Sequence, residues 1–190
     1  MMKWIKKGLV LKPNAVDWMV SHTAVPFVEP MGGDIYRIYF TSRDEENRSQ
    51  TGYAEFNIND PSNILKITSK PILIRGSLGA FDDRGAMCSW IVNSNGLKYM
   101  YYIGWNLGVT VPFYSFTGLA VSKDNGESFE RVSKGYIVER DDIDPYIATN
   151  PCVLIDNGIW KMWYISGVRW VIEDDKPKHY YHIKYAESTD

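Results

Sequence analysis

The chain has 190 residues, of which 45% are hydrophobic and 23% are charged, a balance that is typical of a folded globular domain and excludes intrinsic disorder. Its 21 Lys and Arg against 23 Asp and Glu leave a net charge of -2, so no surplus of positive charge is available for a nucleic-acid backbone or an anionic membrane surface. The sequence has no apolar run of about 18 residues and no apolar stretch long enough for a secretion signal, so we expect a cytoplasmic protein.

Aromatic residues make up 14% of the chain, which favours a β-rich fold with ring faces available for stacking on a ligand. The two cysteines, Cys88 and Cys152, form no CxxC motif and lie in apolar surroundings, so we expect buried free thiols. No His, Cys and carboxylate set has metal-ligand spacing, and no glycine-rich phosphate loop is present. We therefore expect no metal and no cofactor.

In chain order, the first group of predicted strands covers residues 24–28, 38–42, 52–54 and 69–74. His22 precedes the first strand, where it either satisfies a backbone carbonyl or binds substrate. Arg43 follows the second strand. Its guanidinium suits a carboxylate, a phosphate or a sugar hydroxyl, and the alternative is a surface ion pair with Asp44 or Glu45.

The second group covers residues 87–91, 101–105, 118–120 and 133–138. Asp82, Asp83 and Arg84 lie in the loop that leads into its first strand. Trp105 either stacks on a sugar ring or packs between neighbouring sheets. Residues 122–129 resemble the Asp box of sialidases, a turn that marks a fold rather than an activity.

The third group covers residues 150–154, 163–167 and 184–186. Glu139 and Asp144 lie in the polar segment ahead of it, where turn capping is the alternative to a functional role for the neighbouring aspartates. Trp170, after the second strand, is another candidate for stacking on a sugar.

These groups are copies of one unit, because Tyr39, Tyr102 and Tyr164 recur 63 and 62 residues apart. Four short strands per copy predict four-stranded antiparallel blades that stack radially in a β-propeller, and a duplicated antiparallel sandwich is the alternative. We place the blades at about residues 14–78, 79–141 and 142–190, and the third copy lacks a fourth strand.

An incomplete third blade leaves an unpaired edge and an open flank. We expect that flank to present Trp160, Met162 and Tyr164 or their neighbours, and the protein to self-associate or to be covered by another chain.

Two carboxylates have the spacing of the repeat. Asp82 and Asp144 are 62 residues apart, so we expect them at equivalent places on neighbouring blades and facing one cavity on the axis. Glycosyl transfer needs such a pair, because one carboxylic acid protonates the leaving oxygen while a second group activates water or stabilises the transition state.

Two motifs resemble a known group of enzymes. Residues 79–85 (Gly-Ala-Phe-Asp-Asp-Arg-Gly), followed by a tyrosine-rich strand and by residues 117–126, resemble the five-bladed β-propellers of glycoside hydrolase families 43, 32 and 130. The resemblance covers the whole sequence as the first three of five blades. It implies an all-β propeller of the five-bladed glycosidase type that acts on a glycosidic bond.

The resemblance also implies roles for single residues. In family 130 a Glu-Asp-Pro-Arg run carries the proton-donating Asp, which gives that role to Asp83, although the Pro is absent here. In family 43 the base, a pKa-tuning Asp and an acidic Glu come from successive blades. The matching positions are near Asp17, at Asp82 or Asp83, and near Glu139 or Asp144.

The sequence thus supports two functions. One is a glycoside hydrolase or phosphorylase that uses carboxylate acid/base chemistry, and the other is a propeller that binds carbohydrate or scaffolds a partner without chemistry. Both predict a saccharide or glycoconjugate as partner. The candidate catalytic residues are Asp82, Asp83, Asp144 and Glu139, and the candidate substrate-binding residues are His22, Arg43, Arg84, Trp105 and Trp170.

Overall fold

A computed structural model describes residues 2–189, and over these residues the protein forms β-strands and loops without any helix. No membrane-crossing helix is therefore found in this part of the sequence. The strands form one large sheet of eleven strands. The prediction of an all-β fold is confirmed.

The strands fall into three antiparallel units. The first unit contains β1 (Ser21–Gly32), β2 (Ile35–Arg43), β3 (Ser49–Asn57) and β4 (Asp60–Ile67). The second contains β5 (Gly85–Ser94), β6 (Leu97–Leu107), β7 (Phe113–Ser122) and β8 (Glu130–Arg131). The third contains β9 (Ala148–Asp156), β10 (Ile159–Glu173) and β11 (Lys176–Ser188).

Neighbouring units meet where the third strand of one approaches the first strand of the next. A single parallel pair, Ser49 with Gly85, joins the first unit to the second, and Phe116 with Ala148 joins the second to the third. Strand β5 contacts both β1 and β9, so the three first strands lie together. A propeller requires side-by-side units of this kind. The number of blades and their bounds stay predictions, and the predicted bounds extend to residue 190, which lies outside the described residues.

Tight turns connect the first and second strands of the second and third units. Asn95 and Gly96 join β5 to β6 with φ of 51° and 76°, and Asn157 and Gly158 join β9 to β10 with φ of 52° and 80°. Both residues of each pair are left-handed, which is the two-residue hairpin geometry that Asn-Gly favours because its twist matches that of the strands. The Asn-Gly pairs therefore account for these two hairpins.

The outer strands differ from the prediction. The sequence predicts them at residues 69–74 and 133–138, whereas the observed outer strands are β4 and the two-residue β8. The two predicted segments instead cross the third strands, because Ile72 N–H donates to Thr51 O (2.9 Å) and Ile137 N–H donates to Thr117 O (2.9 Å). Each segment forms only isolated bonds, so the repeat is real but the strand assignment is wrong.

The repeat is also one residue out of register in the first unit. All three tyrosines lie on second strands, as predicted. However, Phe40 is the residue that pairs with Gly52, in the way that Tyr102 pairs with Gly118, and Phe40 stacks on Trp18 (5.7 Å) as Tyr102 stacks on Phe81 (6.1 Å). The equivalent of Tyr102 is therefore Phe40, and Tyr39 faces the opposite side of its sheet.

The main core lies between the first and second units. Tyr39 and Tyr53 of the first unit pack there against buried side chains of the second, among them Phe129, whose ring meets that of Tyr39 edge-on (6.3 Å between centroids). A smaller core covers the other face of the first unit, where Met19, from the segment that precedes β1, packs with Phe40. The main core fixes the first two units relative to each other, and the smaller one fixes the segment before β1.

The outer flank of the third unit exposes the alternate residues of its strands. Trp160 packs on Tyr99 (5.1 Å between ring centroids), and Tyr164 is buried, so these predicted flank residues face inward. Their neighbour Trp163 and its cross-strand partner Tyr185 are 37% and 46% exposed. The flank is apolar as predicted, but the exposed apolar residues lie on the face of β10 opposite to Trp160 and Tyr164. Self-association stays a prediction.

Candidate functional site

The three units enclose a cleft of about 590 Å³ where the second strands end and the first strands begin. Its polar and aromatic lining residues are Arg43, Asn47, Trp105, Phe113, Ser115, Thr149, Asn150, His179 and Tyr181. Its apolar lining residues are Val25, Met87, Ile103, Leu107, Pro112, Ile147 and Ile165. A concave, mostly apolar surface with a few convergent polar groups is the usual form of a small-ligand site.

Arg43 enters the cleft from the end of β2, and the loop that follows holds it there. Its Nη1 donates to Asn47 Oδ1 (2.9 Å), and Asn47 has a left-handed φ of 62° that turns the loop back. Arg48 Nε donates to Asp44 Oδ2 (2.8 Å) in the same loop. Within residues 2–189 Arg43 forms no ion pair with either Asp44 or Glu45, and Asp44 pairs with Arg48 instead, so the alternative of a surface ion pair is wrong.

Trp105 lies near the end of β6 on the floor of the cleft, and Gly85 lets it approach. A Cβ on Gly85 would lie 2.1 Å from Trp105 Nε1, so only glycine leaves room for the indole here. Arg84 supports the same place through its backbone, since its N–H donates to Trp105 O (3.1 Å). The guanidinium of Arg43 lies 6.0 Å from the Trp105 ring. Of the predicted binding residues, Arg43 and Trp105 are thus brought together.

The long hairpin of β10 and β11 supplies an aromatic wall. His179 and Tyr181 line the cleft from β11, with their rings stacked 5.6 Å apart. Trp170 lies behind them, against His179 (5.1 Å) and Phe113 (5.6 Å). Trp170 therefore positions the wall and is not itself among the lining residues.

The structure shows why the sequence did not point to His179 and Tyr181. The polar turn after Glu173 is typical of a solvated hairpin, whereas the strands extend to 15 and 13 residues and carry these rings back to the cleft. The only signal was the run of four ring-bearing residues, 179–182 (His-Tyr-Tyr-His), in β11. The sequence also did not predict the bulge between Gly167 and Arg169, which places Trp170 opposite His179.

Two strand residues with a left-handed backbone lie on the same surface. Val25 in β1 has a φ of 51°, which is rare for a β-branched residue, and Asn150 in β9 has a φ of 53°. Both residues line the cleft. Asn tolerates this conformation, whereas for Val25 it costs about 1–3 kcal/mol, and strained residues of this kind are often found at ligand sites.

Asp82 is buried beside its own sheet rather than in the cleft. Only 1% of it is exposed, and its Oδ2 accepts bonds from Arg131 Nη2 (2.6 Å) and from the hydroxyl of Tyr102 (3.1 Å). Burial, and then the negative charge of Asp82, raise the pKa of Tyr102. This carboxylate thus holds the second unit together through an ion pair and a hydroxyl.

Asp144 has the same surroundings in the third unit. It is 4% exposed and accepts bonds from the hydroxyl of Tyr164 (2.8 Å) and from Lys184 Nζ (3.1 Å). Burial opposes the charged form, but hydrogen bonds outweigh it and lower the pKa of Asp144. In turn, burial and the bond to Asp144 raise the pKa of Tyr164 to about 12.

The predicted equivalence of Asp82 and Asp144 is therefore observed, but their convergence on one cavity is not. Each carboxylate binds a cation and a tyrosine of its own unit, and neither lines the cleft. Their spacing of 62 residues predicted equivalent places in the repeat correctly. It could not show the direction of their side chains, which Arg131 and Lys184 determine.

The remaining candidates lie outside the cleft. Asp83 is half-buried and accepts a bond from Gly79 N–H (2.9 Å) as a turn cap. Glu139 is exposed and lies in a groove near Trp160. His22 is exposed, with a left-handed φ of 64° and Nδ1 2.9 Å from Ser21 Oγ. Catalytic and binding roles for these residues stay predictions.

The Asp-box segment forms the turn that the sequence predicts. Ser122 Oγ donates to Asp124 Oδ1 (2.7 Å) and accepts from Gly126 N–H (2.7 Å). Glu127 at the end of the turn accepts from Arg37 Nη2 (2.7 Å) and from the Tyr53 hydroxyl (2.6 Å) of the first unit. The motif thus ties two units together and is no part of the cleft.

Comparison with known proteins identifies relatives that are longer than this chain. It is 40% identical over all 190 residues to an uncharacterized protein of Mycobacterium tuberculosis, found in two strains. The chain spans 62% of the length of these relatives. No protein-family model matches the sequence.

Solved structures resemble this protein in fold. A complex of BT0996 with RGII superposes with a TM-score of 0.70 and 19% identity, over 97% of this sequence and 58% of the other. A family 117 glycoside hydrolase from Zobellia galactanivorans gives a TM-score of 0.68 at 14% identity, over 95% and 56% of the two sequences. A thermostable family-43 glycoside hydrolase gives 0.57 at 16%, over 91% and 53%. The protein thus shares the fold of glycoside hydrolases.

Proposed function

We propose that this protein forms part of a carbohydrate-active β-propeller of the five-bladed glycosidase type and that its cleft binds a saccharide. The observation that carries the proposal is the combination of aromatic rings, amide groups and one guanidinium on a single concave surface. Sugar rings present apolar C–H faces and a rim of hydroxyl groups. The aromatic rings of the cleft match the C–H faces, and its amide and guanidinium groups match the hydroxyl groups.

Each unit supplies part of the site. Arg43 and Asn47 come from the first unit, Trp105 from the second, and Asn150 and Tyr181 from the third. Asn and Arg side chains both donate hydrogen bonds to hydroxyl oxygens, and Asn also accepts them. A site divided in this way requires the units to keep their relative positions, and the shared core and the Asp box hold the first two together.

Glycoside hydrolysis or phosphorolysis is the second candidate, and the shared fold favours it. This chemistry needs two carboxylates about 5 to 10 Å apart across the scissile bond. Among the described residues that line the cleft there is no Asp or Glu. The catalytic pair would have to reach the cleft from outside it, from among Asp82, Asp83, Asp144 and Glu139. Binding is therefore the function that the geometry supports better.

A pair of tyrosine variants tests saccharide binding. Tyr181 lines the cleft, and Tyr185 lies four residues further along β11 on the outer flank, with 54% and 46% of each exposed. We expect Tyr181→Ala to weaken binding about fivefold, since loss of one stacking contact costs about 1 kcal/mol. Tyr185→Ala serves as the matched control and should leave the affinity unchanged.

The measurement is calorimetric titration with a panel of neutral and acidic mono- and oligosaccharides. Equal loss of affinity in both tyrosine variants would contradict the proposed place of binding, and no binding by any saccharide would contradict the function. Release of reducing sugar during the same titrations would establish the second candidate.

A further inference from the structure

We infer that the cleft selects saccharides that carry an anionic group, a carboxylate or a phosphate, and that Arg43 binds that group. This inference rests on the proposed saccharide binding and adds the charge of the ligand. It comes from how the charged residues of loop 43–49 pair with one another, rather than from the fold.

The loop leaves the charge of Arg43 without a counter-ion. Arg48 forms ion pairs with both Asp44 (2.8 Å) and Glu46 (2.9 Å), and so draws two neighbouring carboxylates away from Arg43. Within residues 2–189, the only hydrogen bond from the Arg43 guanidinium goes to the neutral amide of Asn47. Its Nε and Nη2 have no acceptor in this part of the sequence.

The wall around Arg43 does not compensate the charge. The described lining residues of the cleft include no Asp or Glu, and the other polar ones are amides, hydroxyls and a histidine. A cation on a mostly apolar concave surface attracts anions more strongly than one on a flat, hydrated surface, because little water screens it. The cleft therefore favours a negatively charged ligand over a neutral one.

The geometry of the guanidinium suits a two-oxygen group. With Nη1 directed to Asn47, the Nε and Nη2 edge remains for two parallel hydrogen bonds, the arrangement in which Arg binds carboxylate and phosphate. The Trp105 ring, 6.0 Å away, supports the guanidinium from one side. Tyr181 and His179 of the third unit are then left for the sugar ring.

Paired ligands and matched variants test the inference. Calorimetry compares galacturonate with galactose, and glucose 6-phosphate with glucose, so the two arms distinguish a carboxylate from a phosphate. We expect the wild-type protein to bind at least one acidic sugar about tenfold or more tightly than its neutral partner, and to lose that preference as salt is raised. Arg43→Gln should abolish the preference, while Arg43→Lys, which keeps the charge but not the fork, should retain part of it.

Arg169→Gln provides the control. Arg169 is an exposed arginine on β10 that packs on Tyr180 (4.6 Å) outside the cleft, so its loss removes one positive charge without touching the site. The preference for acidic sugars should persist in this variant.

Equal affinity of the wild-type protein for acidic and neutral sugars would overturn the inference and leave saccharide binding intact, whereas failure of all four sugars to bind would count against saccharide binding itself. An unchanged preference in a folded Arg43→Gln variant would also overturn it.

Discussion

At the scale of single residues, the pairing of each charge decides whether it holds the fold together or is free for a ligand. Arg37 is 2% exposed and is bound by Glu55 (2.6 Å) and Glu127 (2.7 Å), so its charge is fully used within the fold. Asp82 and Asp144 are used in the same way. Arg43 differs because its neighbours pair elsewhere, which makes it the charge of the cleft that a ligand can reach.

The Asp-box carboxylate predicts a pH dependence of stability. Burial opposes ionisation of Asp124, but hydrogen bonds from Ser128 and Ser122 outweigh it and lower the pKa of Asp124 to about 2. Because the pKa in the folded state is depressed, Asp124 contributes stability above its unfolded pKa of about 3.9, and this contribution is lost as the pH falls towards 2.

Urea unfolding of the wild-type protein and of Asp124→Asn between pH 2 and 7 measures this contribution. We expect the wild-type protein to be the more stable one at pH 7 and the difference to shrink as the pH falls from about 4 to 2. A difference that stayed constant over this range would show that the charge of Asp124 does not stabilise the turn.

At the scale of elements, the repeat predicted the strands better than it predicted their faces. The order of strands and the tight turns follow from periodicity and from Asn-Gly pairs, which act locally. The face of a strand depends on its register, and one residue of slip exchanged Tyr39 for Phe40. The bulge near Gly167 and the crossing segments at residues 69–74 and 133–138 depend on distant partners, so the sequence alone could not predict them.

The packing of one second strand against its preceding loop gives a stability test. A Cβ on Gly104 would lie 2.2 Å from the Phe81 ring and 2.8 Å from Asp82 Cβ, so Gly104→Ala must push the loop away from β6. We expect a loss of about 1–3 kcal/mol in the free energy of unfolding, which is typical of overpacked sites.

Gly135→Ala is the matched control, because the nearest atom to its added Cβ is Ser133 Oγ at 3.7 Å and its φ is ordinary. This variant should change the free energy of unfolding little. Equal unfolding midpoints for the two variants in urea would contradict the close packing of Phe81 and Asp82 on β6.

At the scale of the whole molecule, the cleft depends on all three units, and buried polar bonds help to join them. Glu29 of β1 accepts from Lys98 Nζ (2.7 Å) of β6, and Ser89 Oγ of β5 donates to Pro151 O (2.8 Å) of β9. The sequence predicted Arg43 and Trp105 as ligand-binding residues because a guanidinium suits anionic groups and sugar hydroxyls and an indole stacks on a sugar ring. It missed His179 and Tyr181 because a long hairpin returns them from a distant turn.

The indole N–H resonance of Trp105 offers the most direct test of saccharide binding in the cleft. Trp105 lines the cleft, whereas Trp160 packs on Tyr99 outside it, so the two indoles report on different places in one nitrogen–proton NMR spectrum. Assignment by Trp105→Phe and Trp160→Phe identifies both signals. Titration with the saccharides of the panel should move the Trp105 signal in a saturable manner and leave the Trp160 signal in place. Saturable movement of the Trp160 signal, with the Trp105 signal unchanged, would contradict saccharide binding in the cleft.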